Sequence, residues 1–376
     1  MKTKSFSSTG LKTFENNLNT LIDGDFSPNL AFVFSSVDMG IEHLIECLSN
    51  FPIKVAGVSS CGEIFYDGRN EGVLSGSVAV SMVEANPQHF ATHLFDGSGK
   101  SSLQLGREIG EWGKQQYSNP SFVLTISGLN ANGQEVVEGL QQIAGNDAMI
   151  FGGLAGDDAR FVNTYVFDSK QMCNNGAMVV VFDSDFIKLD GIASSGWVSI
   201  GSDKVVTKAK GNQVFTIDNV PALKMYKEHL NIRDEDLPEI GVEYPLLVKK
   251  EGREILRAVI GINREDQSLV FAGTVPEGAT VTFSTSPGIE VMDHTKDDLK
   301  SFFNTPSKAR LLLLFSCMAR HKALGPEIIE EIHEVYKLTG LPVTGFFTYG
   351  EIGNNGLMSC EFYNETFTLA VISERN

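Results

Sequence analysis

Two glycine-bounded turns carry the residues best placed for chemistry. Gly57-Val58-Ser59-Ser60-Cys61-Gly62-Glu63-Ile64 and Gly345-Phe346-Phe347-Thr348-Tyr349-Gly350-Glu351-Ile352 share both glycines, the glutamate and the isoleucine without a gap. Their GxxxxG spacing is that of a phosphate-binding loop, whose backbone N–H groups cradle an anion, but such loops continue with Lys and Ser/Thr. Here Glu63 and Glu351 take the lysine's place, and their charge repels phosphate. Two readings remain. In one, glycine permits a tight reversal and the acid accepts local N–H groups. In the other, the turns help form a ligand site, because open α/β sheets bind ligands at the carboxyl ends of their strands.

Signals for a nucleophile or a metal are thin. Ser59, Ser60 and Cys61 lie on the first turn, but GxSxG is absent and no local His or Asp would activate them. Cys317 follows a buried strand near Arg320 and His321, which fits a thiolate or a small core residue. His89 and His93 have the four-residue spacing of metal ligands, yet Pro87, Phe90, Leu94 and Phe95 fit extended chain, and no third ligand is evident. His43 and His333 read as solvated or capping residues. His229 falls in the last turn of a short helix, where imidazolium suits the negative dipole end. His294 and His321 are expected in loops.

The elements that position these residues repeat. Leu311 to Phe315 is apolar without alternation, so it reads as a strand buried on both faces. A polar loop, Ser316 to Gly325, is expected next. A helix then starts at Pro326, with apolar stripe Ile328, Ile329, Ile332, Val335 and Tyr336, and ends at Gly340. Val343 to Phe347 returns as a second buried strand. The same order recurs near the N-terminus: strand Leu30 to Phe34, stripe Ile41, Leu44, Ile45 and Leu48, and strand Lys54 to Val58. A weaker copy has strand Ser121 to Ile126, stripe Val136, Val137, Leu140 and Ile143, and strand Ala148 to Phe151. Its turn, Gly152 to Asp157, ends in glycine plus acid but is one residue shorter. Three units of one design are expected, with the two glycine-glutamate turns sharing one backbone conformation.

These residues resemble a known family. With FSC at Phe315 to Cys317 and GFFTYGEIG at Gly345 to Gly353, the C-terminal unit resembles the C-terminal half of FIST-domain sensory proteins, and the two earlier units look like the N-terminal half. The resemblance implies an intracellular input module that binds a small ligand for signal transduction. Free-standing bacterial members of that family include haem-binding nitric oxide sensors that partner histidine kinases, so haem and a separate kinase are the implied cofactor and partner. A haem iron needs an axial ligand, most often histidine. His321 is the first candidate, ahead of His294 and His229.

Composition narrows the alternatives. The 376 residues carry a formal net charge of −17 with no Lys/Arg cluster, which disfavours nucleic acid and anionic membranes. The N-terminus lacks the apolar run of a signal peptide, and five scattered cysteines show no CxxC pair, a pattern expected of a cytoplasmic protein.

The expected fold is α/β (mixed α+β) with internally repeated strand-loop-helix-strand units. Two lie in an N-terminal domain, residues 1–220, and one in a C-terminal domain, residues 221–376, with a strand-rich insertion. An acidic segment from Asn231 to Gly241, with Pro238, is the candidate linker, and Glu251-Gly252 a turn within the insertion. Ligand-site candidates are Ser35, Ser36, Ser59, Cys61, Glu63, Asn130, Asp157, Cys317, Arg320, Tyr349 and Glu351, taken from the post-strand loops. The rival readings are a non-haem receptor for an amino acid or similar metabolite, and a thiol- or carboxylate-dependent hydrolase using Cys317, Glu351 or Glu63.

Overall fold

Unbroken apolar runs require cover on both faces, and here the cover is a shared core on one side and helices on the other. The computed structural model describes residues 1–22, 25–70, 72–237, 239–250, 253–304, 308–354 and 360–375. In it Leu30–Ser35 pairs in parallel with Lys54–Ser59, Pro120–Ile126 with Ile150–Leu154, and Leu311–Cys317 with Val343–Thr348. Each pair is joined through a helix: Ile41–Ser49, Gly133–Ala144 and Ile329–Thr339 respectively.

Three mixed sheets follow one strand order. The first runs Lys2–Ser8, Val78–Glu84, Leu30–Ser35, Lys54–Ser59, Val166–Phe167, Met172–Cys173. The second runs Phe90–Asp96, Gly176–Asp183, Pro120–Ile126, Ile150–Leu154, Glu351–Gly353, Glu361–Tyr363. The third runs Ile187–Ser194, Phe367–Glu374, Leu311–Cys317, Val343–Thr348, Glu63–Tyr66, Gly72–Leu74. In all three only the central pair is parallel. This arrangement is compatible with the threefold repeat expected from sequence.

The last two strands of each sheet come from a different unit. The first unit's hairpin completes the third sheet, the second's completes the first, and the third's completes the second. Glu63–Tyr66 therefore lies beside Val343–Thr348, and Glu351–Gly353 beside Ile150–Leu154, although hundreds of residues separate them in the chain.

Strand residues from all three sheets form one central cluster, in which Phe34 stacks on Phe346 with ring centroids 5.3 Å apart and meets Phe315 edge-on. Three outer clusters seat the helices, for example Ile41, Leu44 and Leu48 beneath the first sheet and Val136, Val137 and Leu140 beneath the second. The strand-rich insertion lies between Ile187–Ser194 and the helix Glu290–Phe302. It is a separate antiparallel sheet whose own core packs Tyr226 against Phe271 and Phe283.

Several elements differ from the sequence reading. Residues 316–325 are not a loop: the strand runs to Cys317 and the helix Met318–Leu324 follows. Met, Ala, Arg, Lys and Leu are good helix formers, and of the polar residues that suggested a loop Lys322 is exposed while Arg320 faces inward. His294, expected in a loop, lies on the helix Glu290–Phe302. The alternating, valine-rich stretch Gly72 to Val83 reads as one strand in the sequence but forms two, Gly72–Leu74 and Val78–Glu84. Gly340 does end its helix, with φ of 68°. At the expected 220/221 boundary, Gln213–Ile217 pairs with both Val220–Pro221 and Ser268–Phe271. Pro238 and Glu251-Gly252 lie outside the described residues.

At Gly345 an added Cβ would sit 1.8 Å from the carbonyl oxygen of Leu314, backbone that cannot swing away. Gly345→Ala is expected to destabilise by about 3 kcal/mol or more, the upper end of overpacking. Gly10→Ala, with nothing within 4 Å, is the control. Urea midpoints compare the two, and equal midpoints would remove this constraint.

Candidate functional site

Each sheet hands the chain to its neighbour through a turn, and the three turns interlock. Cys61 N donates to Phe347 O at 2.9 Å, Tyr349 N to Leu154 O at 3.1 Å and Gly156 N to Ser59 O at 2.9 Å. Return bonds run from Phe347 N to Gly62 O, Leu154 N to Gly350 O and Ser59 N to Tyr165 O. The turns thus form a closed ring in which each holds the next by the same two bonds.

That ring sets the register. Glu63 lies opposite Phe346, Glu351 opposite Gly153 and Val166 opposite Val58. Val166, not Asp157, is therefore the second unit's counterpart of the two glutamates, because residues 157–164 are inserted into its turn. The glycine-glutamate turns agree in register but not in every dihedral: Gly62 has φ of 120°, and Gly350 does not share this positive φ.

Both glutamates are fully buried. Glu63 accepts from the Ser60 hydroxyl, from Ser77 N at 3.2 Å and from Ser77 Oγ at 2.5 Å. Glu351 accepts from the Thr348 hydroxyl and from Thr366 N at 3.2 Å. Where the second unit has Val166, Gly176 N turns to Ser127 Oγ at 3.0 Å instead. Each acid thereby pairs a backbone N–H at the entry to its unit's last strand, a group too costly to bury alone.

Residues 157–164 fold over the ring. Asp157 Oδ1 accepts from Phe161 N at 2.9 Å and from the Tyr349 hydroxyl; its Oδ2 accepts from Val162 N at 2.6 Å and Asn163 N at 2.9 Å. Asp158 Oδ2 accepts from Ser36 Oγ at 2.8 Å and Val37 N at 3.2 Å. Arg160 Nη2 lies 2.7 Å from both carboxylate oxygens of Asp38. Asp158, Ala159 and Phe161 have φ of 55°, 59° and 55°. That left-handed conformation costs a non-glycine residue about 1–2 kcal/mol. Phe161 stacks on Tyr349, centroids 4.8 Å apart, while remaining 60% exposed beside Val162 at 70%.

Two family models match this chain: the FIST N domain over residues 29–220 and the FIST C domain over residues 222–354. The chain belongs to the FIST family. FIST domains are sensory domains of signal transduction that bind small ligands. No curated protein matches the chain. Among the described residues no helix is long and apolar enough to cross a membrane.

In this FIST protein the structure brings together Ser36, Ser59, Cys61, Asp157 and Tyr349. Ser59 Oγ donates to Gly156 O at 2.6 Å and accepts from Tyr165 N at 2.8 Å. Burial pushes the Cys61 thiol up to about 11, and Tyr349 is held protonated by burial and by the Cys61 and Asp157 beside it. Ser35 is buried beneath, donating to Ser36 O at 2.9 Å. Asn130 stands to one side, bonded to Asn174 O at 2.9 Å.

Asp38, Asp158, Arg160 and Phe161 are participants that sequence reasoning missed. The adjacent acids Asp157-Asp158 were visible, but no pattern announces left-handed backbone outside glycine.

Cys317, Arg320 and Glu351 form a separate buried cluster. Arg320 is inward-facing and pairs with Glu331, not with the turns. Burial raises the Cys317 thiol well above its usual range, which removes the thiolate that a hydrolase would need.

The three histidines proposed for haem do not fit the group as folded. His321 lies flat on Phe347 with centroids 4.2 Å apart. The gap that Phe347 shares with Ser316 and Glu331 has no room for even a water-sized sphere, whereas small-molecule pockets take roughly 300–1,000 Å³. His229 stacks on Phe283 at 4.0 Å, and His294 lies 3.3 Å from Asp298 on its own helix. Among the described residues no group of three or more His, Cys, Asp or Glu is arranged to hold a metal ion.

Burial raises the Glu63 carboxyl from 4.5 to about 7, against the lowering effect of its Ser60 and Ser77 bonds. The folded chain therefore keeps a proton that the unfolded chain releases. This contribution to stability is fully present below the ordinary carboxyl range and lost as pH rises through about 7. Glu63→Gln should flatten the loss between pH 5 and pH 8 by roughly 3 kcal/mol. Urea titrations at the two pH values measure it, and an unchanged pH dependence would show that Glu63 is ionised in the fold.

Proposed function

We propose that this FIST protein is a cytoplasmic sensory input that binds a small polar metabolite, amino-acid-like in its charges, at the 157–164 loop. It would pass the signal to a separate output protein, a histidine kinase in the reading that the family resemblance implies.

The strained loop over the ring carries this reading. Three left-handed non-glycine residues within four positions, Asp158, Ala159 and Phe161, persist only where the surroundings over-determine them, and such strain concentrates at ligand clamps and switches. The loop presents opposite charges and an aromatic face together. A guanidinium binds carboxylate through two parallel bonds, so Arg160 can exchange Asp38 for a ligand carboxylate and leave Asp38 to meet an ammonium group. Asp157 sits at the loop's hinge with its bonds spread over Phe161, Val162, Asn163 and Tyr349. Any shift of the loop therefore reaches Tyr349, whose backbone belongs to the ring.

Thermal unfolding against a panel of free amino acids and related metabolites tests the proposal. A true ligand at one hundred times its Kd should stabilise the chain by about 2.7 kcal/mol. Arg160→Ala should abolish that shift and leave the ligand-free midpoint nearly unchanged, since Arg160 is exposed and paired only at the surface. Asp157→Asn should lower both. An empty panel together with a Soret band on haem titration would replace this reading with the haem-based one.

A further inference from the structure

The threefold repeat supplies its own control. What all three junctions share is needed by the fold, and what one junction adds is not. At the entry to the last strand, the first unit has Gly76-Ser77 and the second has Asn175-Gly176, where the third has Glu365-Thr366. Gly76 has φ of 58° and open space around it. Glu365 holds the same left-handed φ, 55°, with a side chain that is fully buried and whose two carboxyl oxygens have no hydrogen-bond partner among the described residues. The third unit therefore carries a strained residue and an unpaired buried acid where glycine suffices.

Its surroundings do not neutralise it. Glu351 of the hairpin strand contributes its charge against Glu365, and Cys317 adds a thiol from the end of Leu311–Cys317. The helix Met318–Leu324 brings Arg320, but that guanidinium is committed. It pairs with Glu331 of Ile329–Thr339 through Nε at 3.0 Å and through Nη2, and it also donates to Thr295 Oγ1 at 2.6 Å, to Ser195 O and, at 3.5 Å, to the backbone oxygen of Glu365. Arg320 and Glu331 cancel. Two acids, Glu351 and Glu365, remain without a countercharge of their own in a buried cluster, and a buried carboxylate without a partner neutralises itself. Glu351 receives donors from Thr348 and Thr366; Glu365 receives none, so Glu365 is the group that carries a proton.

We infer that the third junction is a proton-operated latch: Glu365 is held as the neutral acid beside Glu351, and losing its proton drives the turn 364–366 out to water and unseats the paired strands Glu351–Gly353 and Glu361–Tyr363 from the second sheet. The lever is short. Thr366 N is the donor to Glu351, and Glu351 opens the hairpin. The second unit, with Val166 and Asn175, has the same hairpin seat and no acid to titrate. Burial and then the charge of Glu351 hold the Glu365 carboxyl well above the ordinary carboxyl range, so the latch is shut within that range and opens as pH rises beyond it.

Hydrogen exchange on the full chain, corrected for the intrinsic pH dependence of exchange, tests the latch. Amides of 351–353 and 361–363 should lose protection tenfold per pH unit as pH rises toward the latch midpoint, as one released proton requires, while Val166–Phe167 stays flat. Glu365→Gln, which cannot ionise, should abolish the slope. A protonated-carboxyl band in the infrared spectrum at neutral pH should also weaken in that variant. Flat protection at 351–353 in the wild type, or an unweakened carboxyl band in Glu365→Gln, would overturn the latch. If the variant does not fold, wild-type exchange alone decides.

Discussion

An open sheet edge is a row of unpaired N–H and C=O groups, and something must close it. Here every sheet presents such an edge on its fourth strand, Lys54–Ser59, Ile150–Leu154 or Val343–Thr348, and the cover is always a hairpin from a neighbouring unit. None of the three sheets is completed by its own unit's strands. The requirement is circular, and the six backbone bonds between the turns close the circle. A change at one junction therefore acts on two sheets at once, and hairpin exchange couples distant parts of the chain without a long-range wire.

The same closure explains which polar groups are buried. At the first and third junctions a glutamate supplies the missing acceptor; at the second, Ser127 does. The insertion is tied on by different means. Arg257 is fully buried and bonds through Nη1 to the carbonyls of Leu256 and Phe362, both at 3.0 Å, and through Nη2 to Gln134 Oε1 at 3.1 Å. Burial lowers its guanidinium to about 10, still charged at neutral pH. A cation satisfied by carbonyl dipoles locks the added sheet to the second unit's helix and to the exchanged hairpin together.

Much of the fold was legible because the signals were local. Runs such as Leu30 to Phe34 and Leu311 to Phe315 could only be strands covered on both faces, and Gly340 could only end a helix. The matching turns at Gly57 and Gly345 pointed to a repeat with which the three sheets are compatible. The hairpin exchange was not legible, since nothing in a strand's sequence says which unit's edge it will meet. For the same reason Asp157 was aligned with Glu63 and Glu351 although the register puts Val166 there. Residues 316–325 misled because their charge was read as solvent exposure. Arg320, flanked by His321 and Lys322, points inward to Glu331, a pairing that only tertiary contact reveals. Of the site, the conspicuous members Ser36, Ser59, Cys61, Asp157 and Tyr349 were found from their positions after strands. Asp38, Arg160 and Phe161 were missed because their roles depend on loop conformation.

Repetition also separates scaffold from function in a way that one copy could not. A buried glutamate in a glycine turn looks like an active-site acid when met alone. Seen twice, with a serine hydroxyl serving in the third place, it is an acceptor that the junction needs, and Glu63 and Glu351 lose most of their claim to catalysis. What the scaffold does not need stands out against that background: the strained insert at 157–164, present in one turn of three, and Glu365, buried where its counterparts are Gly76 and Asn175. Departures from the repeat that carry an energetic cost are the places where a selectable property must compensate. In this chain both costs fall on the ring, so a response begun at either one is felt by all three sheets.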